Sequence, residues 1–184
     1  QHLVLHLPKR KSRLASSLFT CSQLRHLTLH DCRMRPPSVY KVFDWLIRLE
    51  LCRVRVSSKL LGSLISQCPL LEQLVLKKIS QVPNIIEINA PKLRFFDFSG
   101  NISSIYPKNV PLLAKISLTA DDSPEDVENF GFARFFESCS ALEHVIFNSS
   151  YGEWVINQPG EVATRLPFHA NSVKCFGLPL LTLM

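Results

Sequence analysis

The chain has 184 residues, 46% of them hydrophobic and 20% charged, a balance typical of packed globular chains that excludes intrinsic disorder. No apolar run approaches the roughly 20 residues a membrane helix needs; Val42 to Leu51, for instance, is interrupted by Asp44, Arg48 and Glu50, so no membrane-spanning helix is expected and no membrane partner is assigned. The net charge of +6 is uneven, with twelve Lys/Arg against three Asp/Glu in residues 1–60 and nine against twelve in residues 61–184. A basic end attracts acidic partners at long range. These charges are spread over loops and strand faces, however, and read as a solvated surface.

In chain order, a short copy of a pattern opens the sequence with Leu3 and Leu5. The run Lys9-Arg10-Lys11-Ser12-Arg13 follows. Such a run can be a nuclear-localisation or nucleic-acid patch. It lies in a return loop without interleaved aromatics for base stacking, and is read as solvated, with no nucleic-acid partner. Then the pattern appears in full, an apolar residue followed three and five positions later by two more. It reads Leu24, Leu27, Leu29; Leu46, Leu49, Leu51; Leu71, Leu74, Leu76; Leu93, Phe96, Phe98; Leu113, Ile116, Leu118; Leu142, Val145, Phe147; and, more weakly, Val173, Phe176, Leu178. Alternation sends the paired leucines to one face of a strand and the residues between them to the other.

Two copies carry a further residue where the chain leaves the strand, Cys32 and Asn101, expected to turn inward and satisfy backbone groups. Another column stands three residues before each strand signature: Cys21, Phe43, Cys68, Ala90, Val110, Cys139 and Ala170. All are apolar and are expected to form a buried second layer. Pro69, Pro91 and Pro111 follow three of them and end the return segment before the strand resumes. Ser57 to Cys68 has Leu60, Leu61, Leu64, Ile65 and Cys68 on one helical stripe with Ser57 or Ser58 as cap. Ser123 to Cys139 reads as the clearest helix, with Ser123 as cap, Pro124 in the first turn and Asp126 at capping-box spacing. Its buried face is Val127, Phe130, Ala133, Phe136 and Cys139. Residues 82–91 and 102–111 are short, Pro-punctuated and β-branched, and are expected to be extended.

Copies recur every 20 to 31 residues. That spacing is close to the leucine-rich-repeat period of roughly 20–29. The expected fold is α/β: a single leucine-rich-repeat solenoid over residues 1–184, with a parallel sheet on its concave face and mixed helical and extended return segments. It holds about eight irregular repeats and is expected to be truncated at both ends, since Gln1 begins inside a repeat and Met184 stops just after a strand. No repeat buries its leucine ladder alone, which is why such units occur in series.

Chemistry is sparse. The six cysteines include no Cys-x2-Cys pair and no Cys/His cluster with metal-ligand spacing, so buried thiols in a reducing compartment are expected. His26 and His30 share a strand face but stand about 13 Å apart at 3.3 Å per residue, too far to hold one ion. Gly-x-Ser-x-Gly, a phosphate-cradling glycine loop and His-Glu-x2-His are all missing, so no catalytic residue, cofactor or metal is assigned and the chain reads as a non-catalytic binding module. The candidate site is the outward side of the strands. One column is His26, Arg48, Gln73, Phe95, Lys115 and His144; the next is Thr28, Glu50, Val75, Asp97, Ser117 and Ile146; the third is His30, Cys52, Lys77, Ser99, Thr119 and Asn148. A mixed face with an exposed Phe95 suits protein recognition, where a few aromatic or Arg anchors carry most of the energy. Nine residues are assigned to it: His26, Thr28, Arg48, Glu50, Gln73, Phe95, Asp97, Lys115 and His144.

Several segments resemble plant F-box/FBD/LRR-repeat proteins. They are Ser17 to Leu29; Leu64 to Leu76, with Cys68-Pro69-Leu70-Leu71-Glu72; Ile88 to Phe98, with Asn89-Ala90-Pro91-Lys92-Leu93; and Phe135 to Glu143. Together they span most of the chain. The resemblance implies an intracellular plant protein, cytoplasmic or nuclear, acting as a substrate-receptor subunit of a cullin-RING (SCF-type) ubiquitin ligase. The repeats would present a protein target, and catalysis would belong to other subunits. A Skp-type adaptor and cullin would be reached only through an F-box, which, like the FBD, lies outside this chain; the chain itself is expected to be a monomer. The alternatives are a generic repeat scaffold or a degenerate family copy without a ligase role. An extracellular repeat receptor is the other rival, given the sequons Asn101-Ile102-Ser103 and Asn148-Ser149-Ser150, but its Leu-x-Gly-x-Ile-Pro signature is missing.

Overall fold

Every described copy of the pattern forms a strand, and the strands line up in chain order. The computed structural model describes residues 1–6, 18, 21, 23–35, 43–80, 85–121 and 135–149. The strands are β1 (His2–His6), β2 (His26–His30), β3 (Arg48–Cys52), β4 (Gln73–Lys77), β5 (Ile86–Asn89), β6 (Phe95–Gly100), β7 (Ile105–Asn109), β8 (Lys115–Ala120) and β9 (His144–Ser149), with one helix, α1 (Ser58–Ser66). Seven of them build the main sheet in the order β1-β2-β3-β4-β6-β8-β9, and β5 pairs with β7 in a second sheet of two strands. All the pairings are parallel.

Register follows the leucines. Leu3, Leu27, Leu49, Leu74, Phe96, Ile116 and Val145 are cross-strand partners in one unbroken row. From Leu27 to Val145 this row is buried, and Leu29, Leu51, Leu76, Phe98 and Leu118 form a second buried row. A one-residue slip would expose both rows, so burial fixes the register. Burying each Leu stabilises by roughly 1.5–3 kcal/mol.

Turns of one design enter the strands. Leu46, Leu71, Leu93, Leu113 and Leu142 each donate a backbone N–H to the carbonyl three residues back, on Phe43, Cys68, Ala90, Val110 and Cys139. Pro69, Pro91 and Pro111 therefore sit at the second position of a β-turn, where a fixed φ near −65° is wanted. The five acceptor residues are buried, as expected of the second layer. Cys21 is not: it is exposed, although Leu24 N–H still bonds its carbonyl at 3.4 Å. Chain exits are also shared. Asp31, Arg53 and Lys78, at equivalent places, all adopt left-handed φ of 56°, 53° and 52°, and Gly100 follows them at 153°.

The opposite wall of the core is made of return segments. α1 buries Leu61, Leu64 and Ile65, with Leu60 partly buried beside them; Ser57 is its N-cap residue but makes no side-chain cap bond. The Cys68 thiol donates to Leu64 O at 3.1 Å, tying the stripe to the turn. Residues 86–89 and 105–109 are extended, as expected, and pair as β5 and β7 with Ile86, Ile88 and Ile105 buried. Two corrections apply to the segment before β7. Ile102–Ser104 is a single 3-10 turn, and Asn101 is exposed. Ile102 fills the inward place instead, because the chain swings round at Gly100. Of the helix expected over 123–139, only Phe135, Phe136 and the residues leading to Cys139 are described; Ser123 to Ala133 lie outside the described residues, as do the Lys9–Arg13 run, Ala170 and the last repeat.

Candidate functional site

The outward residues fall into the expected columns. His26, Arg48, Gln73, Phe95, Lys115 and His144 are successive cross-strand partners, extended by His2. Val4, Thr28, Glu50, Val75, Asp97, Ser117 and Ile146 form the next column. Adjacent members are about 4.8 Å apart across the sheet, so every neighbouring pair is within side-chain reach.

Arg48 is the centre of the N-terminal half. Its guanidinium donates to Gln73 Oε1 at 2.9 Å and to Glu50 Oε2 at 3.0 Å, which joins three assigned residues in one network. His2 and His26 meet edge to face at 5.3 Å, and His6 and His30 stack at 4.2 Å. Burial is the main cause that lowers the His26 and His30 pKa, and the facing histidines add to it. A depression of about 400 Å³ is lined here by residues including His2, His26, Arg48, Glu50 and Gln73. In the other half Lys77 pairs with Asp97 at 2.9 Å and Lys115 Nζ stands 6.0 Å from the centre of the Phe95 ring. Phe95 is therefore half-buried under a cation rather than exposed. Thr28, at 8% exposure, and Val75, at 4%, are short side chains between longer neighbours and offer little surface. Lys115 and His144 are exposed.

Sequence reasoning did not single out three features. Trp45, beside the turn into β3, is 53% exposed. A groove of about 880 Å³ crosses the far side of the molecule, between α1, β5, β7 and Phe135, where two short repeats carry strands instead of helices. The signal for it was the 22- and 20-residue spacing of those copies, too short to fit a helix. Arginines also gather where β2 and β3 leave the sheet, at Arg33 and Arg55, which face each other in a parallel bridge. Among the described residues no group of three or more His, Cys, Asp or Glu is placed to hold a metal, no helix is long and apolar enough to cross a membrane, and the cysteines form no disulfide. Burial pushes the Cys32 thiol up to about 11 and those of Cys68 and Cys139 up to about 12, as befits inert core thiols.

Comparison with known proteins points one way. The family described as "FBD-associated F-box protein At5g56370, LRR repeats" matches residues 1–179. Over 130 residues, 71% of its length, the chain is 35% identical to the F-box/FBD/LRR-repeat protein At1g13570 of Arabidopsis thaliana. It spans about 30% of the length of that relative. No solved structure matches the chain.

Proposed function

The chain belongs to the leucine-rich-repeat family of FBD-associated F-box proteins, and from that premise we propose that it is the target-recognition region of a substrate receptor in an SCF-type ubiquitin ligase. The repeats form one solenoid of about eight units over residues 1–184. Its sheet face holds a protein target, ubiquitin transfer is carried out by other subunits, and adaptor and cullin are reached through an F-box elsewhere in the full-length protein. The setting is the cytoplasm or nucleus.

The observation that carries this reading is the in-register face itself. Arg48, Phe95 and Lys115 belong to a single column that the core does not need. Arg and aromatic side chains are the usual anchors of protein interfaces. Arg48 is preorganised by Gln73 and Glu50, so less side-chain freedom is lost when a partner carboxylate or carbonyl arrives.

The test uses the full-length protein in plant cells with the proteasome inhibited. Ubiquitinated proteins recovered with the wild type, together with adaptor and cullin, should be lost from the Arg48→Glu and Lys115→Glu variants, each weakening target binding by about tenfold or more. Adaptor and cullin should still be recovered. Target recovery unchanged in both folded variants would move the site off the sheet face. Failure of the wild type to recover adaptor and cullin would leave a repeat scaffold without a ligase role.

A further inference from the structure

The exits of β2, β3 and β4 carry the most unbalanced charge on the described surface. After the left-handed residues Asp31, Arg53 and Lys78 the chain makes one more set of rungs, with isolated parallel bridges from Arg33 to Arg55 and from Arg55 to Ser80. Backbone bonds hold these rungs: Arg55 N–H donates to Cys32 O at 2.9 Å, Met34 N–H to Arg55 O at 3.0 Å and Ser80 N–H to Val54 O at 3.1 Å. Cys32, Met34, Val54 and Val56 point into the core, so alternation turns Arg33, Arg35 and Arg55 outward. Arg33 and Arg55 face each other across rungs about 4.8 Å apart.

Elsewhere several described charges are paired, and the basic residues outside ion pairs, such as Lys59, Lys92 and Lys115, are scattered over the surface rather than set on adjacent rungs. Arg48 has Glu50, Lys77 has Asp97 and Lys108 has Glu87. Along the opposite rim Arg25, Glu72, Arg94 and Glu143 alternate in sign on one backbone ladder. At the exit rim Asp31 is already held by Arg53 through two bonds of 2.7 and 2.6 Å. Among the described residues Arg33, Arg35, Arg55 and Lys78 take part in no ion pair. Like charges on adjacent rungs destabilise a sheet, and among the described residues no carboxylate pairs with these four to offset the cost.

We propose that this rim, built on Arg33, Arg35, Arg55 and Lys78, docks an acidic segment of a partner protein, a run rich in Asp and Glu. The inference rests on the reading of the chain as a protein-recognition module and adds a second surface to it. Guanidinium forks match carboxylates two bonds at a time, which a point charge does not. The described rim residues include no aromatic on which a nucleic-acid base would stack, and their one partly exposed apolar side chain, Ile79, packs against the core rather than standing out to enter a lipid surface. Part of the positive excess of residues 1–60 is thereby placed in one patch.

The experiment is fluorescence anisotropy of a labelled poly-glutamate peptide with the full chain at low and physiological salt. Binding should weaken as salt rises. Arg33→Glu with Arg55→Glu should abolish it, and the milder pair Arg35→Gln and Lys78→Gln should lower affinity by about tenfold. Lys92→Glu, an exposed change of the same sign on the other rim, should leave it unaltered. No binding at low salt, or undiminished binding by the folded Gln variant, overturns the proposal. So does tighter binding of oligo-dT or of phosphatidylserine vesicles than of the peptide. Failure of the sheet-face reading shows separately, as target recovery indifferent to Arg48→Glu while the rim dependence of peptide affinity stands.

Discussion

At the scale of single residues the strand exits hold the clearest strain. Lys78 has a left-handed φ of 52° because the chain must turn there to lay Ser80 beside Arg55. For a side chain with a Cβ this conformation costs roughly 1–2 kcal/mol. Gly100, at the same step of the next repeat, avoids that cost, and a Cβ there would stand 3.2 Å from Phe98 Cζ inside a packed core. Lys78→Gly should therefore raise stability by about 1 kcal/mol, after allowance for the looser unfolded chain, whereas Gly100→Ala should lower it by about 1–3 kcal/mol. Urea denaturation of the two variants measures both; a loss of stability with Lys78→Gly would mean that the rim lysine contributes more than its backbone strain costs.

Among the elements, β1 is held more weakly than β2, β3, β4, β6 and β8, since Leu3 and Leu5 are only partly buried while the equivalent residues of those strands are buried. Two histidine pairs clamp it to β2. The pKa of His26 is lowered by burial and then by His2, Arg48 and Arg25; that of His30 is lowered by burial, His6 and Arg53 against the opposing pull of Glu50 and Asp31. A histidine whose folded pKa is depressed contributes stability above its unfolded value of 6.5 and loses it as pH falls through the folded one. Amide exchange in β1, corrected for intrinsic rate, should be slow at pH 7.5 and faster at pH 5.5, and His26→Gln with His30→Gln should flatten the difference. Equal protection at both pH values in the wild type would remove the histidine clamp. The clamp was hidden in the sequence, although the strands were not. Leu-x-Leu states both which face is inward and which residues share a rung, so the register and all three outward columns could be read directly. Prolines and β-branched residues likewise marked 82–91 and 102–111 as extended, and strands form within them at 86–89 and 105–109. That these two pair with each other depends on two adjacent repeats both being short, and that Ile102 replaces Asn101 inward depends on the φ of Gly100. Side-chain choices between neighbours, such as Arg48 taking both Gln73 and Glu50 or Lys115 covering Phe95, are settled only once the rungs are in place.

Across the whole molecule, each main-sheet strand pairs only with its neighbours in the order, so stability is passed from repeat to repeat. The buried thiols sample this chain of contacts at separate points: Cys32 beyond β2, Cys68 before β4 and Cys139 before β9. Burial raises all three well above their ordinary value of 9.0, Cys68 and Cys139 to about 12. A group with a raised folded pKa contributes its full stability below the unfolded pKa and loses it as pH rises toward the folded one. Stability should thus be steady from pH 7 to 8.5 and fall above about pH 9, by about 1.4 kcal/mol per pH unit for each thiol kept protonated. Lysines and tyrosines also titrate in this range, so the wild type must be compared with Cys68→Ala/Cys139→Ala. That variant starts less stable, by the volume it loses, but its stability should fall less steeply between pH 9 and 10.5 by the share of two thiols. Parallel slopes in urea titrations would show that these cysteines titrate in the folded chain as they do in the unfolded one, and so are reached by water through motions that open the repeats between β4 and β9. A shallower slope in the variant means that the second layer stays closed along the length of the sheet, the rigidity that a face built from seven separate strands needs if its columns are to meet a partner as one surface.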